Sequence, residues 1–355
     1  MPEAIVFPYT AVQLTGTINK IPNIYGLLNE LNVFPARGIR TTLVEVRREN
    51  GTLAVLPATD RGAPPSVAKR QPGDALYFEV PHIPHMDRID PLDLQNMLRV
   101  VAETASFKTL DEEMAQRMIA IRNKHAITLE WLRMGALKGL ITDGNGAPIY
   151  DLFASFNIAR PVIYFDLSNN SADIDGACDL LFRTIATALR GEVMSGIEVL
   201  CSTSFFSAFV AHPKVQKFWL NWQNAEKLAN IERVSAGGQM GRTFDYQRIR
   251  WREYYGVAPI VVAGVPTSAP FVEDTLGFAR PLGTLDTFVT YFAPANDIRY
   301  VNQMGQEVYV SPKILDHGEG VELKSESDPL PICRRPELLV TVSSAAPNTA
   351  LPTIL

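Results

Sequence analysis

The longest periodic pattern in the chain begins at Leu110. Leu110, Met114, Met118, Ile121, His125, Leu129, Leu132 and Ala136 recur at steps of four and three, and so share one helical face. The spacing predicts a helix over about residues 110–138, roughly 40 Å long at about 1.5 Å per residue. Such a strut is longer than most globular helices, and Gly135 and Gly139 are expected to weaken its end. Before it, residues 1–40 show little periodicity; Pro8, Pro22, Pro35 and Gly38 leave room only for a short helix near Tyr25 to Leu31. Residues 40–83 alternate instead. "TTLVEVRRENGTLAVLP" reads as two strands around an Asn50-Gly51 turn, and "ALYFEVPHI" places Leu76, Phe78 and Val80 on one face. Between them lies a polar stretch rich in Pro and Gly. This long β-excursion has few apolar residues for a core of its own. An isolated hairpin is marginal in water, so it needs a packing surface in its own chain or a neighbour's.

Directly after the strut helix comes "LITDGNGAPIYDLF", Leu140 to Phe153. Asp143, Asn145 and the following glycine resemble the opening of a calcium loop. Such a loop, however, needs an oxygen ligand at 147, Gly at 148 and Glu at 154, where the chain has Ala147, Pro148 and Ala154. Asp-Gly and Asn-Gly between apolar runs predict a β-hairpin turn. Beyond Phe153 the pattern is mixed. "RPVIYFDLS", "IEVLCS", "APIVVAGVP", "TFVTYFAP", "GQEVYVSP" and "PELLVTVSS" read as strands, and "DIDGACDLLFRTIATALRGE" as an amphipathic helix. Ser202 or Thr203 is placed to cap "SFFSAFVAH", and Pro213 opens a further helix. The end, "AAPNTALPTIL", reads as a tail.

Composition narrows the function. With 46% hydrophobic and 20% charged residues over 355, the chain can bury a large core divided into two or three domains. A net charge of −5 gives no whole-molecule attraction to nucleic acid or an anionic membrane. No apolar run reaches membrane-spanning length, and the N-terminus has no signal-peptide pattern. Three widely spaced cysteines (Cys178, Cys201, Cys333) fit a reducing compartment rather than a disulfide framework.

Candidate chemistry is sparse. "PHIPHMDRIDPLD" gathers His82, His85, Asp87, Asp90 and Asp93, all metal-binding types, but Pro81, Pro84 and Pro91 exclude the helix that would align the histidines. A loop leaving a strand is the alternative. "SAGGQMG" has glycines wrongly spaced for a phosphate loop and reads as a linker. The concentrated basic feature is Arg248, Arg250 and Arg252, which alternate with Ile249 and Trp251. These arginines could touch phosphates; the interleaved Asp245, Glu253 and Glu232 suit ion pairs across a sheet or a subunit boundary. No nucleophile elbow or zinc helix is present in the sequence.

The order of parts resembles the major capsid proteins of tailed bacteriophages, in particular the capsid protein E family of lambda-like major head proteins. "GLITDGNGAPIYDLFASFNI", "CSTSFFSAFVAHPKV", "FDYQRIRWREYYG", "RPLGTLDTFVTYFAPAND" and "ESDPLPICRRPELLVTV" are similar to family segments, in the family's order, over about residues 20–343. The resemblance implies an α+β, Hong Kong 97-type fold. Its parts would be an N-arm at 1–35, an E-loop at 36–90, and a P-domain at 91–170 with the spine helix and hairpin 140–153. An A-domain at 171–295, P-domain return strands at 296–332 and a final A-domain strand and tail at 333–355 would complete it. It implies a structural protein, not an enzyme, with no cofactor, metal or membrane partner. Copies would form hexamers and pentamers of an icosahedral shell around double-stranded DNA, contacted non-specifically. The E-loop would pack on an adjacent subunit. The shell would be assembled in the host cytoplasm and reside in the virion. Arm-like sequence from near residue 5 leads to the expectation of a separate scaffolding protein, together with a portal and optionally a decoration protein. Arg47, Arg48, Arg61, Arg70, Arg248, Arg250 and Arg252 are candidate intersubunit or inner-surface contacts. An encapsulin-like compartment of the same fold, and a metal-dependent enzyme built on His82, His85 and Asp87, are the alternatives.

Overall fold

A computed structural model describes residues 9–23, 25–48, 74–92, 98–101, 104–107, 110–221, 233–236, 239–262 and 264–354. Its axis is the expected strut, a 29-residue helix spanning Leu110–Lys138. Asp111, Glu112 and Glu113 in the first turn and Lys138 in the last suit the helix dipole. Met114, Met118, Ile121, His125, Leu129, Leu132 and Ala136 are buried on the expected face. The C-terminal half goes further: residues 129–139 are all buried, Glu130, Arg133 and Lys138 among them. Helical periodicity reports one apolar face; here other elements close over the opposite one as well.

Gly139, at φ +80°, ends the helix in the left-handed region, and the Phe153 ring lies 2.3 Å from where a Cβ would stand. Gly135 does not weaken the helix end as expected. It sits inside the helix, where a Cβ would lie 2.8 Å from the Leu140 carbonyl oxygen, so its bareness lets the following hairpin lie close. That hairpin pairs Leu140–Thr142 with Pro148–Asp151. Asp143 Oδ1 accepts hydrogen bonds from the backbone N–H groups of Asn145 and Ala147, both at 2.8 Å, so the aspartate shapes the turn.

Among the described residues there are three large cores, and the first and third include side chains of the strut. The first gathers Trp131, Leu132 and Leu137 with Phe34, Phe271, Phe278 and Leu330, together with Val44, Val46, Phe78 and Val80. The last four belong to the β-excursion. Its strand Leu43–Arg48 pairs antiparallel with Asp74–Glu79, Arg48 opposite Asp74; the expected turn at Asn50-Gly51 and the strand after it lie outside the described residues. The described base of the excursion therefore packs on its own chain, with Phe78 edge-on to Tyr150 at 5.3 Å. For this base the packing surface lies in its own chain; residues 49–73 lie outside the described residues.

The second core fills one face of a seven-stranded mixed sheet. Its strand order is Arg233–Ala236, Gln239–Tyr246, Ile249–Glu253, Gly196–Cys201, Leu276–Leu282, Val340–Ser343 and Val162–Tyr164. Period-two alternation turns Ile197, Val199, Cys201, Ile249 and Trp251 toward helices Ile174–Leu189 and Thr203–Ala211. Ser202 caps the second of these by accepting a hydrogen bond from the Phe205 N–H. Phe209 stacks on Trp251 at 4.3 Å. "SAGGQMG" is not a linker: Ser235–Ala236 pairs with Gln239–Met240 as part of this sheet.

The third core lies at the N-terminal half of the strut. Met114, Met118 and Ile121 meet Leu14 and Ile18 of a helix Ala11–Ile18, together with a three-stranded sheet of Tyr309–Ile314, Val321–Ser327 and Ile83–Ile89. The sequence reading missed that first helix. Its β-branched and glycine residues propagate a helix poorly; a Thr10–Gln13 capping box and docking on Met114 and Met118 hold it. Three further expectations change. "PHIPHMDR" is an edge strand rather than a loop, "APIVVAGVP" begins a hairpin of Val257–Val262 with Val265–Pro270, and the C-terminal tail folds back, with Leu351 and Ile354 packed on the first core.

Candidate assembly surface

The structure distributes the residues of "PHIPHMDRIDPLD" instead of gathering them. His82 Nδ1 meets Asp328 Oδ1 at 2.7 Å, His85 Nε2 meets Lys124 Nζ at 2.9 Å, and Asp87 pairs with Arg117 at 3.2 Å. Asp93 lies outside the described residues. Among the described residues no three His, Cys, Asp or Glu side chains converge as metal ligands. Burial pushes the Cys178 and Cys201 thiols up, and Cys333 up to about 12, which leaves them poor nucleophiles at neutral pH.

The arginine row resolves into ion pairs across the seven-stranded sheet. Arg250 meets Asp245 at 3.2 Å and Arg242 meets Glu253 at 2.8 Å. Arg252, expected at an inner or intersubunit surface, is buried within the subunit and donates from Nε to Glu198 Oε1 at 2.9 Å. Arg280, directly opposite Glu198 on the neighbouring strand, donates from Nη2 to Oε2. Arg248 is exposed in a tight turn at φ +63°. The backbones of Arg47 and Arg48 continue the excursion strand; Arg61 and Arg70 lie outside the described residues.

The surface also carries exposed apolar groups. A groove of about 1440 Å³ runs between the base of the excursion and the segment Ala293–Asn302. Leu43 and Tyr77 on one wall, and Ile298 and Val301 on the other, are exposed large apolar residues; Ile298 is 91% exposed. A rigid support holds Ile298 outward. Asp297 accepts from the Arg299 backbone N–H at 2.9 Å and from its guanidinium, whose hydrogen bond lowers the Asp297 carboxyl to about 2. Arg299 in turn donates to Ser311 at 2.8 Å. The floor holds the His82–Asp328 pair; burial pushes the Asp328 carboxyl up while His82 opposes the shift. The rim carries both signs, with Arg37, Arg40 and Arg334 against Glu45, Glu79 and Asp286. A second apolar patch covers the outer face of the Val257–Pro270 hairpin, where Val257, Val261, Val262 and Val265 are exposed while Ala258, Ile260 and Ala269 face the core. Isolated exposed apolar residues are ordinary; groups of them on a rigid concave surface mark contacts with other protein. No signal in the sequence separated Ile298 or Val301 from a loop.

The chain's sequence matches the model of the family "Phage major capsid protein E" over residues 10–344. The chain belongs to the phage major capsid protein E family. Two relatives support the assignment along their full lengths. The major capsid protein of Salmonella phage Felix O1 is 30% identical over 359 residues, covering 94% of this chain and 95% of the relative. That of Pseudomonas phage KPP10 is 29% identical, covering 96% and 97%. Among solved structures, a protein described as the capsid protein of an E. coli CFT073 prophage superposes with a TM-score of 0.57 at 14% identity, over 95% of this chain and 99% of that one. A phage-related protein from Bordetella bronchiseptica RB50 does so with 0.51 at 12%, over 94% and 96%. The fold of this capsid protein E family member is thus the α+β, Hong Kong 97-type capsid fold that the resemblance implied. As a member of this family it is a structural shell protein rather than an enzyme.

Proposed function

We propose that this chain is the repeating head subunit of a tailed double-stranded DNA bacteriophage, closing as hexamers and pentamers into an icosahedral shell. Family membership along nearly the whole chain carries the reading. The exposed apolar groove supports it, because symmetric assembly needs self-complementary surfaces that a lone subunit leaves uncovered. In this reading residues 1–35 are the N-arm, 36–90 the E-loop, 91–170 and 296–332 the P-domain, and 171–295 with 333–355 the A-domain. The third core joins the P-domain so drawn to the N-arm and to Ile89 at the end of the E-loop, and the second joins the A-domain to Ile163, Phe165 and Leu167 of the P-domain. A separate scaffolding protein, a portal and a decoration protein are the proposed partners, and assembly takes place in the host cytoplasm. Packaged DNA is touched non-specifically, and Arg47, Arg48, Arg61, Arg70, Arg248 and Arg250 are candidate intersubunit or inner-surface contacts. Arg252 leaves that set because Glu198 holds it inside the sheet.

The test is negative-stain microscopy of the protein expressed with its scaffolding partner, beside Ile298→Asp. The wild type is expected to give closed shells of uniform curvature, and the variant to give folded subunits without shells. A wild type that stays monomeric under every assembly condition would sink the reading. An encapsulin-like compartment would instead enclose a cargo enzyme, and a gene neighbourhood without terminase and portal genes would favour it.

A further inference from the structure

A polar cleft of about 470 Å³ lies between the turn Asn19–Asn23, Asn29, the strut helix at Arg122, and Gln306–Glu307. Its walls are tied down. Asn19 Nδ2 donates to the Val308 carbonyl at 2.9 Å and to Gln306 Oε1 at 3.2 Å, while Asn19 Oδ1 accepts from the Val308 N–H at 3.2 Å. Asn23 Oδ1 accepts from the Tyr25 N–H at 2.9 Å, which fixes the amide, and its NH₂ has no hydrogen bond among the described residues. Gln306 likewise has its oxygen occupied, and its NH₂ has no hydrogen bond among the described residues. Arg122 is 6% exposed; its Nη2 engages Glu307, and its Nε is buried without a hydrogen-bond partner. At the rim, Lys20 is exposed and has no ion-pair partner among the described residues. Two cations thus face one carboxylate that is already engaged, beside amide groups presenting N–H.

We propose that this cleft binds a phosphate group. A buried guanidinium N–H left unpaired is costly unless something accepts from it. An oxyanion with several acceptor oxygens can take Arg122 Nε, the Lys20 ammonium and the Asn23 and Gln306 amides together, each as a hydrogen bond to a charged acceptor. The cleft is larger than a lone phosphate, so it admits a phosphate ester, including one phosphodiester of a nucleic-acid backbone. The proposal does not depend on the shell reading.

Isothermal titration calorimetry on the full-length protein, at ionic strength matched with chloride, tests it with two probes: inorganic phosphate and the dinucleotide thymidylyl-thymidine. Saturable binding is expected, weakened about tenfold in Lys20→Ala and also weakened in Asn23→Ala, each loss being one hydrogen bond to a charged group. Lys20 is exposed, so Lys20→Ala should leave circular dichroism and melting without ligand unchanged; Asn23→Ala also removes the acceptor of the Tyr25 N–H, so its binding is compared after its melting is matched to wild type. Binding of the dinucleotide identifies a backbone phosphodiester as the ligand, and binding of inorganic phosphate alone identifies free phosphate. Heat no greater than that of chloride with both probes, or equal affinity in wild type and Lys20→Ala, overturns the proposal.

Discussion

Glu198 carries more than its share of the seven-stranded sheet. Arg252 and Arg280 both donate to it, all three residues are more than nine-tenths buried, and burial pulls the Arg280 guanidinium down while Glu198 opposes the shift. Glu198→Ala would strand two buried cations, and removing one member of a buried pair typically costs about 3–5 kcal/mol. Urea denaturation should show a loss of that order, whereas Arg250→Ala, at a half-exposed pair, should cost less than about 1 kcal/mol. His125 makes a pH-dependent contribution. It is buried against Ser325 Oγ at 3.0 Å, and burial, reinforced by His85, Arg122 and Lys124, lowers its pKa to about 4. The fold therefore holds neutral imidazole. Stability is full above about pH 6.5 and falls toward pH 4, as the unfolded chain takes up a proton that the folded one refuses. The loss approaches about 3 kcal/mol, the free-energy equivalent of that shift. In His125→Gln the total fall in stability between about pH 6.5 and 4 should shrink by that amount, and an unchanged fall would refute the assignment.

At the scale of elements, the strut helix and its stop were legible because they repeat or interrupt a period. The periodic face ran from Met114 to Ala136 as expected. The stop needs one residue. Gly139→Ala places a methyl group into the Phe153 ring and holds an L-residue at φ +80°, so strain and overpacking together should cost about 2–4 kcal/mol. Equilibrium unfolding of that variant checks the figure, and near-wild-type stability would mean that the hairpin can shift away. The helix Ala11–Ile18 was not legible, because "AVQLTGTI" has little intrinsic preference and gains its order from Met114, Met118 and Val310, nearly 100 or more residues away. The hairpin Val257–Pro270 was hidden for a simpler reason: its turn interrupts one continuous apolar run.

Across the whole molecule, the described base of the excursion belongs to the subunit core, and residues 49–73 connect its two strands. Arg48 and Asp74 are opposite each other in register. A two-residue Asn-Gly turn replacing 49–73 should therefore close the hairpin and keep Val46 and Phe78 in the core. Melting of the subunit is expected to stay close to wild type while shells no longer form in the microscope. Normal shells from this variant would remove that segment from assembly, and a molten subunit would show that it belongs to the core. The larger deletion of 45–80 could not separate these outcomes, since it removes buried residues of the body.

The sequence alone determined the strut, the turn at Asp143, the mixed α/β body and the family, since each is written in local period, turn chemistry or ordered segments. Only the tertiary structure decided which charges are internal. Glu130, Arg133, Lys138, Glu198, Arg252 and Arg280 look like surface residues in a linear pattern and become buried because distant strands and helices close over them. It likewise decided that Ile298, an apolar residue in an ordinary loop, stays outside. Burial depends on what arrives from elsewhere in the chain, and local periodicity carries no record of that.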